Sequence, residues 1–306
     1  MSAEIMTVTG PVRPKTLGFT LPHEHVMSTF GADPARYPDY PVERLLAQVL
    51  PYLEKVKSLG VNALADCTTA FFGRHPELLR RISRESGALL LTNTGYYAAR
   101  KNRYVPAHAF YESAEQIAAR WVREFEDGID ETGIRPGFIK TAVEAEPLSE
   151  MESKLVRAAV LTHLRTGLVI QTHTGDHAAG ARFILDTIEE AGARPSGWIW
   201  VHAHVMTERA PLLEAAARGA WISLDGVSAQ RAGHILSLLQ ALRGAGCLNQ
   251  VLLSHDGDSF TIDGGLRPYE SLMTEFIPLL RQNGFSDEEI HLMTVENPAK
   301  AFAIGG

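Results

Sequence analysis

The chain has little of what marks a secreted or membrane protein. Only two cysteines, Cys67 and Cys247, occur among 306 residues, which excludes a disulfide framework and a thiolate metal site and favours a reducing cytoplasm. Nowhere do about eighteen apolar residues run together, and the start of the chain lacks the basic and apolar segments of a signal peptide. We therefore expect a cytoplasmic location and no membrane partner.

Positive charge is also scarce. The 29 lysines and arginines are outnumbered by 36 aspartates and glutamates, so the formal net charge is −7 and no basic stripe is available to neutralise phosphates. This argues against a nucleic-acid partner. No linker, repeat or low-complexity tract divides the chain, and its 45% hydrophobic content suffices for a large core. We expect residues 1–306 to form one domain.

Segments of two kinds alternate along the chain. Apolar runs rich in β-branched and aromatic residues are typical of strands buried on both faces, and the segments between them have helical periodicity. Strands are predicted at residues 17–25, 61–67, 88–95, 137–142, 168–173, 198–203, 220–225 and 250–256. The clearest helical segments are 42–58, 149–165, 178–191, 208–218 and 269–282. Eight strands alternating with helices in a chain of this size predict an α/β fold, the (β/α)8 or TIM barrel.

Polar residues stand at the ends of several of these strands. His23 and His25 end the first apolar run, and because alternate residues of a strand share a face, both imidazoles can bind one metal ion. A His-x-His pair alone is as typical of a polar strand end as of a metal site. Further candidates end later strands: Lys140, His173, His202 and Asp256. In a closed barrel all of them meet at the carboxyl face, whereas an open sheet would gather its ligands at one switch point.

The residue types predict a centre with two divalent metal ions. Neutral imidazoles and a carboxylate suit Zn²⁺, with Mn²⁺, Co²⁺ or Fe²⁺ as alternatives, and two neighbouring ions need a bridging anion. A protonated lysine is no ligand, but a lysine amine that has reacted with carbon dioxide is a carbamate with two oxygens. Lys140 is therefore interpreted as a bridging carbamate, the alternative being a salt-bridged or snorkelling lysine.

The set of strand-end residues resembles the phosphotriesterase-like branch of the amidohydrolase superfamily. The resemblance covers nearly the whole chain and rests on His23-x-His25, Lys140, Gln171-Thr172-His173-Thr174, His202 and Ser254-His255-Asp256. It implies that His23, His25 and Asp256 bind the more buried metal. It also implies that His173 and His202 bind the more exposed metal, and that carbamylated Lys140 bridges the two.

The resemblance implies hydrolysis by a hydroxide that the two metals share, with the exposed metal polarising the group under attack. Asp256 would be both ligand and proton acceptor. Relatives commonly relay the proton onward through two further residues, where this chain has Val205 and Gly226. The proton would then leave directly to the leaving group, or through His204 or His255, and His204 is also a candidate substrate contact.

Substrate class depends on fewer residues. Tyr97 matches a tyrosine that many lactonases of the family carry after the third strand, where its hydroxyl can bond the hydroxide or the ring ester; its alternative role is packing at the barrel mouth. Arg267 and Tyr269, in the long loop after the last strand, are expected to bind an anionic substituent. The alternative for Arg267 is an ion pair with Asp258 or Asp263.

We therefore predict a metal-dependent lactonase in which Asp256 and Tyr97 are the catalytic residues. A phosphotriesterase or aryl esterase is the alternative among enzymes, and a barrel with a degraded metal site that only binds a partner is the alternative outside them. The expected partner is a small-molecule ester or lactone, and a homodimer is the hypothesis for assembly.

Overall fold

The core of this protein is a ring of eight parallel strand positions around a common axis. The structure is a computed structural model that describes residues 3–144, 146–175 and 178–305. A hairpin of β1 (Ile5–Thr7) and β2 (Gly10–Val12) precedes the ring. The ring consists of β3 (Thr20–Glu24), β4 (Ala63–Asp66), β5 (Leu89–Leu91) continued by β6 (Asn93–Thr94), β7 (Phe138–Val143), β8 (Ile170–Thr174), β9 (Trp198–Val201), β10 (Trp221–Leu224) and β11 (Val251–Leu253). All eight positions lie within or one residue beyond the predicted segments, which confirms the (β/α)8 barrel.

Backbone hydrogen bonds close the ring between its first and last strands. Strands β3 to β5 pair in order, as do β6 to β11. Beyond the end of β11, the amide of Asp256 donates to the carbonyl of His23 over 3.2 Å, and the amide of His25 donates to the carbonyl of Gly257 over 2.8 Å. The predicted ligands from the two ends of the barrel sequence therefore become neighbours.

Helices cover the outside of the ring. They are α1 (Val42–Ser58), α2 (Pro76–Ser86), α3 (Ala114–Asp127), α4 (Glu150–Thr166), α5 (Ala178–Glu190), α6 (Ala210–Arg218), α7 (Ala232–Gly244), α8 (Ile277–Gln282), α9 (Asp287–His291) and α10 (Asn297–Ala301). The helix predicted at 42–58 has those bounds, whereas the one predicted at 269–282 begins with a π-helical turn at Leu272–Phe276. Within the described ranges, no helix combines the length and apolarity needed to cross a bilayer.

Apolar side chains fill two separate layers, as alternation along a strand requires. In β9, Trp198 and Trp200 point outward and pack under the helices, while Ile199 and Val201 point into the barrel. The interior layer also contains Phe138 and lies toward the amino-terminal end of the strands. The carboxyl end of the barrel is thereby left to polar side chains.

Gly95, directly after β6, allows the backbone at the end of β6 to lie close to the backbone of β7 at the predicted ligand Lys140. A Cβ atom at Gly95 would stand 2.0 Å from the carbonyl oxygen of Lys140, and the φ angle of Gly95 is +122°. Only glycine tolerates both the contact and the angle. The position of Lys140 thus depends on a residue that has no side chain.

The substitution Gly95→Ala is expected to lower the free energy of unfolding by about 3 kcal/mol or more, because it adds a backbone clash to a strained φ angle. Gly60→Ala is the matched control, since Gly60 also has a positive φ of +99° but nothing lies within 4 Å of its Cβ position. The control should lose about 1 kcal/mol. Urea denaturation measures the free energy of unfolding of both variants. Equal losses of stability would show that the close approach of Gly95 to Lys140 has no special cost.

Candidate metal centre

Three side-chain atoms converge beyond the carboxyl ends of β3 and β11. Nε2 of His23 and Nε2 of His25 each lie 3.3 Å from Oδ1 of Asp256. A tetrahedral ion with metal–ligand distances of about 2.0–2.1 Å keeps its ligand atoms roughly 3.3 Å apart. The three side chains therefore have the spacing of ligands to one metal.

Two further histidines lie beside this group. The ring of His202 is centred 5.0 Å from that of His23 and 4.5 Å from that of His173. Ligand atoms of His23, His202 and Asp256 lie close enough together to hold an ion. The structure thus places His173 and His202, from the ends of β8 and β9, next to the first three predicted ligands.

Lys140 lies at the same centre, on the inner side of β7. Its Nζ atom is 3.5 Å from Nε2 of His23, and the residue is only 1% exposed. Among the described residues no carboxylate lies within ion-pair distance of it. Burying a protonated amine without a carboxylate is unfavourable. The alternative interpretation, a salt-bridged or snorkelling lysine, does not fit this position.

One buried carboxylate orients one histidine from each of the two predicted metal sites. Asp225, directly after β10, accepts hydrogen bonds from Nδ1 of His23 over 2.7 Å and from Nδ1 of His202 over 2.9 Å. It also accepts from the hydroxyl of Ser223 and the amide of His202. Both imidazoles are therefore held in the tautomer that leaves Nε2 free for a metal. Sequence reasoning did not assign Asp225 a role, although its strand-end position is the signal it shares with the ligands.

Hydroxyl groups orient the other two histidines. The Thr68 hydroxyl lies 2.7 Å from Nδ1 of His25 and donates its hydrogen to the carbonyl of Met27 over 2.8 Å, so it accepts from the imidazole. The Tyr97 hydroxyl lies 3.2 Å from Nδ1 of His173. Each of the four predicted histidine ligands thus has a hydrogen-bond partner at Nδ1. Sequence reasoning missed Thr68, which no strand-end pattern distinguishes from the neighbouring threonines.

Two of the predicted ligands stand on strained backbone. Asp256 and His202 have φ angles of +61° and +62°, in the left-handed region that costs a residue other than glycine about 1–2 kcal/mol. The buried carboxylate of Glu24 holds the segment around Asp256 by accepting from the amides of His255 and Gly257 over 3.0 and 2.7 Å. Strain of this kind persists where surrounding contacts over-determine the backbone, as at functional sites.

The two alternative proton carriers have different surroundings. His255 donates from Nδ1 to Glu24, and its Nε2 accepts from the amide of Leu272 over 2.9 Å, so both ring nitrogens are engaged in a structural contact. His204 lines the site, with Nδ1 3.1 Å from Asp225 but not aligned for a hydrogen bond. A Cβ at Gly226 would stand 2.1 Å from Nε2 of His204. His204 therefore fills space that a side chain at position 226 would need.

Burial and neighbouring charges set the pKa values of the predicted ligands. Burial alone would lower the pKa of His25, but the contact with Asp256 and the charge of Asp258 outweigh it and raise that pKa. Burial, reinforced by Lys140, lowers the pKa of His23 to about 3. Burial and the neighbouring His202 lower the pKa of His173 well below its ordinary value. Burial alone would raise the pKa of Asp256, but the neighbouring His23, His25 and His202 outweigh it and hold that pKa well below its usual range. Neutral imidazoles and an ionised carboxylate are the forms that bind divalent cations.

Two adjoining cavities open onto this centre and share His173, His202, Asp256 and Arg267 in their walls. The narrow cavity, of about 140 Å³, is also lined by Phe30, Phe72, Tyr97 and Arg100. The wide cavity, of about 550 Å³, is also lined by Thr174, His204, Val205 and Arg231. Three of the predicted substrate contacts, Tyr97, His204 and Arg267, therefore face concave space suited to a small molecule.

The prediction that Tyr269 contacts substrate is wrong. The residue is fully buried, its hydroxyl contacts Ser259, and its ring packs edge-on against Tyr52 with centroids 4.9 Å apart. The loop after β11 turns back at its end, so Tyr269 enters the core behind the site. Arg267 forms the ion pair with Asp258 that was predicted as its alternative role, and it also lines both cavities.

Comparison with known proteins places this chain in the phosphotriesterase family, because the model of that family matches residues 3–302. A phosphotriesterase homology protein of Escherichia coli is 30% identical to this chain, and the match covers 93% of this chain and 98% of the relative. Solved structures from Deinococcus radiodurans, described as an organophosphorus hydrolase and as a variant of a PTE-like lactonase, are each 28% identical. The organophosphorus hydrolase superimposes with a TM-score of 0.88, and the match covers 98% of this chain and 96% of that one. The lactonase variant superimposes with a TM-score of 0.86, and the match covers 97% of this chain and 99% of that one.

More distant relatives have different named activities. An aryldialkylphosphatase of Saccharolobus solfataricus is 25% identical over 95% of this chain and 97% of its own. The human N-acetyltaurine hydrolase is 24% identical over 97% of each chain. The chain is thus a hydrolase of the phosphotriesterase family, and the relatives differ in the bond and substrate that their names specify.

The substitution Asp225→Asn is expected to lower the affinity for both metal ions by roughly 10–100-fold, because Asp225 orients one imidazole of each group. Thr68→Val is the matched comparison. Among the predicted ligands Thr68 contacts only His25, so this substitution should weaken the binding of only one ion. Competition with a chelator in a titration measures the two affinities separately. Wild-type affinity for both ions in Asp225→Asn would contradict the orienting role.

Proposed function

We propose that the protein is a lactonase that uses two divalent metal ions, Zn²⁺ before Mn²⁺, Co²⁺ or Fe²⁺. The observation that supports this most is the convergence of four oriented imidazoles, a carboxylate and Lys140 in the wall of a cavity that also contains Tyr97. Metal ions bound there would supply an activated water and a Lewis acid for the ring carbonyl. The remaining roles fall to the side chains.

Asp256 is suited to accept the proton of the attacking water. Its Oδ1 atom faces the imidazole nitrogens, while Oδ2 lies on the side of Arg267, 3.9 Å from Nη1, and the side chain is 29% exposed toward the cavities. A carboxylate that uses one oxygen as a ligand can take a proton on the other and pass it to the leaving alkoxide. With Val205 and Gly226 at the usual relay positions, this direct transfer is the proposed route.

Tyr97 is suited to donate a hydrogen bond to substrate. Removal from bulk water raises the pKa of its hydroxyl far above the ordinary value, so the proton stays on the oxygen. The ring stacks on Phe72 at 5.5 Å with an interplanar angle of 11°, which fixes its direction. A fixed donor contributes most when negative charge develops on the ring oxygen or carbonyl oxygen in the transition state.

Lys140 is proposed to carry a carbamate. Its amine would add to carbon dioxide and lose a proton, which replaces an uncompensated buried ammonium by an anion between the two ligand groups. No aspartate or glutamate occupies that position of β7. The carbamate would therefore supply the bridging charge that two adjacent cations need.

The substitution Lys140→Ala is expected to remove most of the bound metal and activity, because the bridging anion is lost while space remains. Added acetate with metal should restore part of both. Lys140→Met is the control, since its side chain fills that space and should not respond to acetate. Elemental analysis and lactone turnover measure the outcome, and full metal content in Lys140→Ala would contradict the bridging role.

A phosphotriesterase or aryl esterase activity is the second candidate, supported by the relative named aryldialkylphosphatase. Carbonyl and phosphoryl groups can be attacked in the same centre. A barrel that lost its metal site and only binds a partner is less well supported, because all six predicted ligand residues meet. The relative named N-acetyltaurine hydrolase adds an amide to the substrates worth testing.

A substrate panel separates these candidates. It consists of acyl-homoserine lactones, simple γ- and δ-lactones, sugar lactones with and without phosphate, an N-acetylated aminosulfonate and an aryl phosphotriester. The highest kcat/KM is expected for a lactone. A value for the phosphotriester or the amide equal to or above that of every lactone would overturn the lactonase proposal.

The substitution Tyr97→Phe is expected to lower kcat for lactones by roughly 10–100-fold, about 1.4–2.7 kcal/mol of transition-state stabilisation. Metal content should not change under saturating metal, even though Tyr97 also contacts His173. Tyr96→Phe is the matched control, because the Tyr96 hydroxyl lies 3.2 Å from His108 and faces away from the centre. Steady-state kinetics decide the matter, and wild-type turnover by Tyr97→Phe would show that Tyr97 only packs.

A further inference from the structure

Two arginines from different loops meet at one exposed aromatic ring beside the metal centre. The guanidinium carbon of Arg100 lies 5.5 Å from the centroid of Phe30, and that of Arg267 lies 5.8 Å from it. Phe30 is 48% exposed, an unusual state for a phenylalanine. All three residues line the narrow cavity together with the predicted metal ligands.

Arg267 is held so that part of its guanidinium remains available. Its Nε contacts Asp258, which is buried and also accepts from the hydroxyl of Ser28 over 2.7 Å. The backbones of Arg267 and Asp258 exchange two hydrogen bonds of 2.9 Å. The side chain of Arg267 is still 49% exposed, so the terminal nitrogens face the cavity and the carboxylate of Asp256.

Arg100 has no such partner for its charge among the described residues. Within the part of the chain that the structure describes, no carboxylate forms an ion pair with its side chain, and Glu144 accepts only from its backbone amide, over 2.9 Å. Its side chain packs over the ring of Phe30. As far as the described residues show, its five N–H donors are available to a ligand.

The backbone that carries Arg100 is strained. Arg100, Lys101 and Asn102 have φ angles of +61°, +57° and +61°, three consecutive left-handed residues without a glycine. The turn is held by the amide of Asn102, which donates to the carbonyl of Ala98 over 3.0 Å. A turn so unfavourable at the rim of a cavity is a reason to look for function in the side chain that it directs there.

The charge of the narrow cavity is opposite to that of the whole chain. The formal net charge is −7, yet this cavity is lined by two arginines, and Asp256 is the one carboxylate that it contains among the described residues. Asp256 is already assigned to a metal. Bound cations would make the cavity more positive still, and clefts with one sign of charge attract the opposite ion.

We propose that Arg100 and Arg267, one on each of two loops at Phe30, bind an anionic group of the substrate, such as a carboxylate, sulfonate or phosphate. This rests on the proposed function, since it places the scissile bond at the metal centre and the anion at the cavity mouth. Arg100 is then a specificity-determining residue for the substrate. The apolar part of the substrate between the two groups would lie against Phe30 and Phe72.

The test compares a neutral γ-lactone with the same ring bearing a carboxylate, using the metal-loaded protein. Arg100→Met should raise KM for the charged lactone about tenfold or more, because a charge-assisted contact is lost, and should change KM for the neutral lactone far less. Arg100→Lys should recover part of the loss. High salt should reduce the wild-type preference for the charged lactone.

Lys101→Met is the matched control, because it removes the same charge from the adjacent position of the same turn without lining the cavity. It should leave KM for both lactones unchanged. Equal changes of KM for the charged and neutral lactones in Arg100→Met would overturn the proposal, since they would indicate a distorted loop. No change for either lactone would also overturn it.

A binding measurement keeps this proposal separate from the proposed function. If wild-type protein hydrolyses no lactone, the lactonase proposal fails, but calorimetric titration with ethanesulfonate still tests the anion site. Wild-type protein should bind this anion about tenfold more tightly than Arg100→Met, and Lys101→Met should match the wild type. Absence of saturable binding to the wild type, or equal affinities of all three proteins, would overturn the anion site.

Discussion

The hydrogen bonds of one buried carboxylate, Asp225, determine how the rest of the centre can work. It contacts Nδ1 of His23 and of His202, which come from opposite parts of the sequence and belong to different predicted metals. An ionised carboxylate in the barrel interior is stable only because several donors surround it. The two predicted metal positions are therefore coupled, because Asp225 leaves Nε2 of both imidazoles free for a metal.

The barrel supplies this precision by combining rigid strands with locally unfavourable turns. His202 and Asp256 leave their strands in left-handed conformations, and their side chains thereby turn toward the axis. Glu24 stabilises the turn at Asp256, and Asp225 stabilises the turn at His202 through its amide. The same kind of backbone recurs farther out, at Arg100. Three of the strained residues, Arg100, His202 and Asp256, thus line the cavities, while the apolar layers of the barrel remain regular.

The sequence was sufficient for the parts of the molecule that follow periodic rules. Strand ends place ligands such as His173 at the carboxyl face because every barrel strand points the same way. The sequence was insufficient where the conformation of a loop determines whether a side chain enters the core or faces a cavity. Tyr269 and Arg267 lie two residues apart, yet one enters the core and the other faces the cavities. Thr68 and Phe30 gain their roles only from contacts across the barrel, which no local pattern encodes.

The most direct test is a crystal structure of the metal-loaded protein with anomalous data collected on both sides of the metal absorption edge. Two peaks per chain are expected near Lys140, with Nε2 of His23 and Nε2 of His202 as ligands and both Nδ1 atoms still bonded to Asp225. Continuous density beyond Nζ of Lys140 should reach both peaks. A single peak under saturating metal, coordination through Nδ1, or an unmodified lysine beside two fully occupied metals would contradict it.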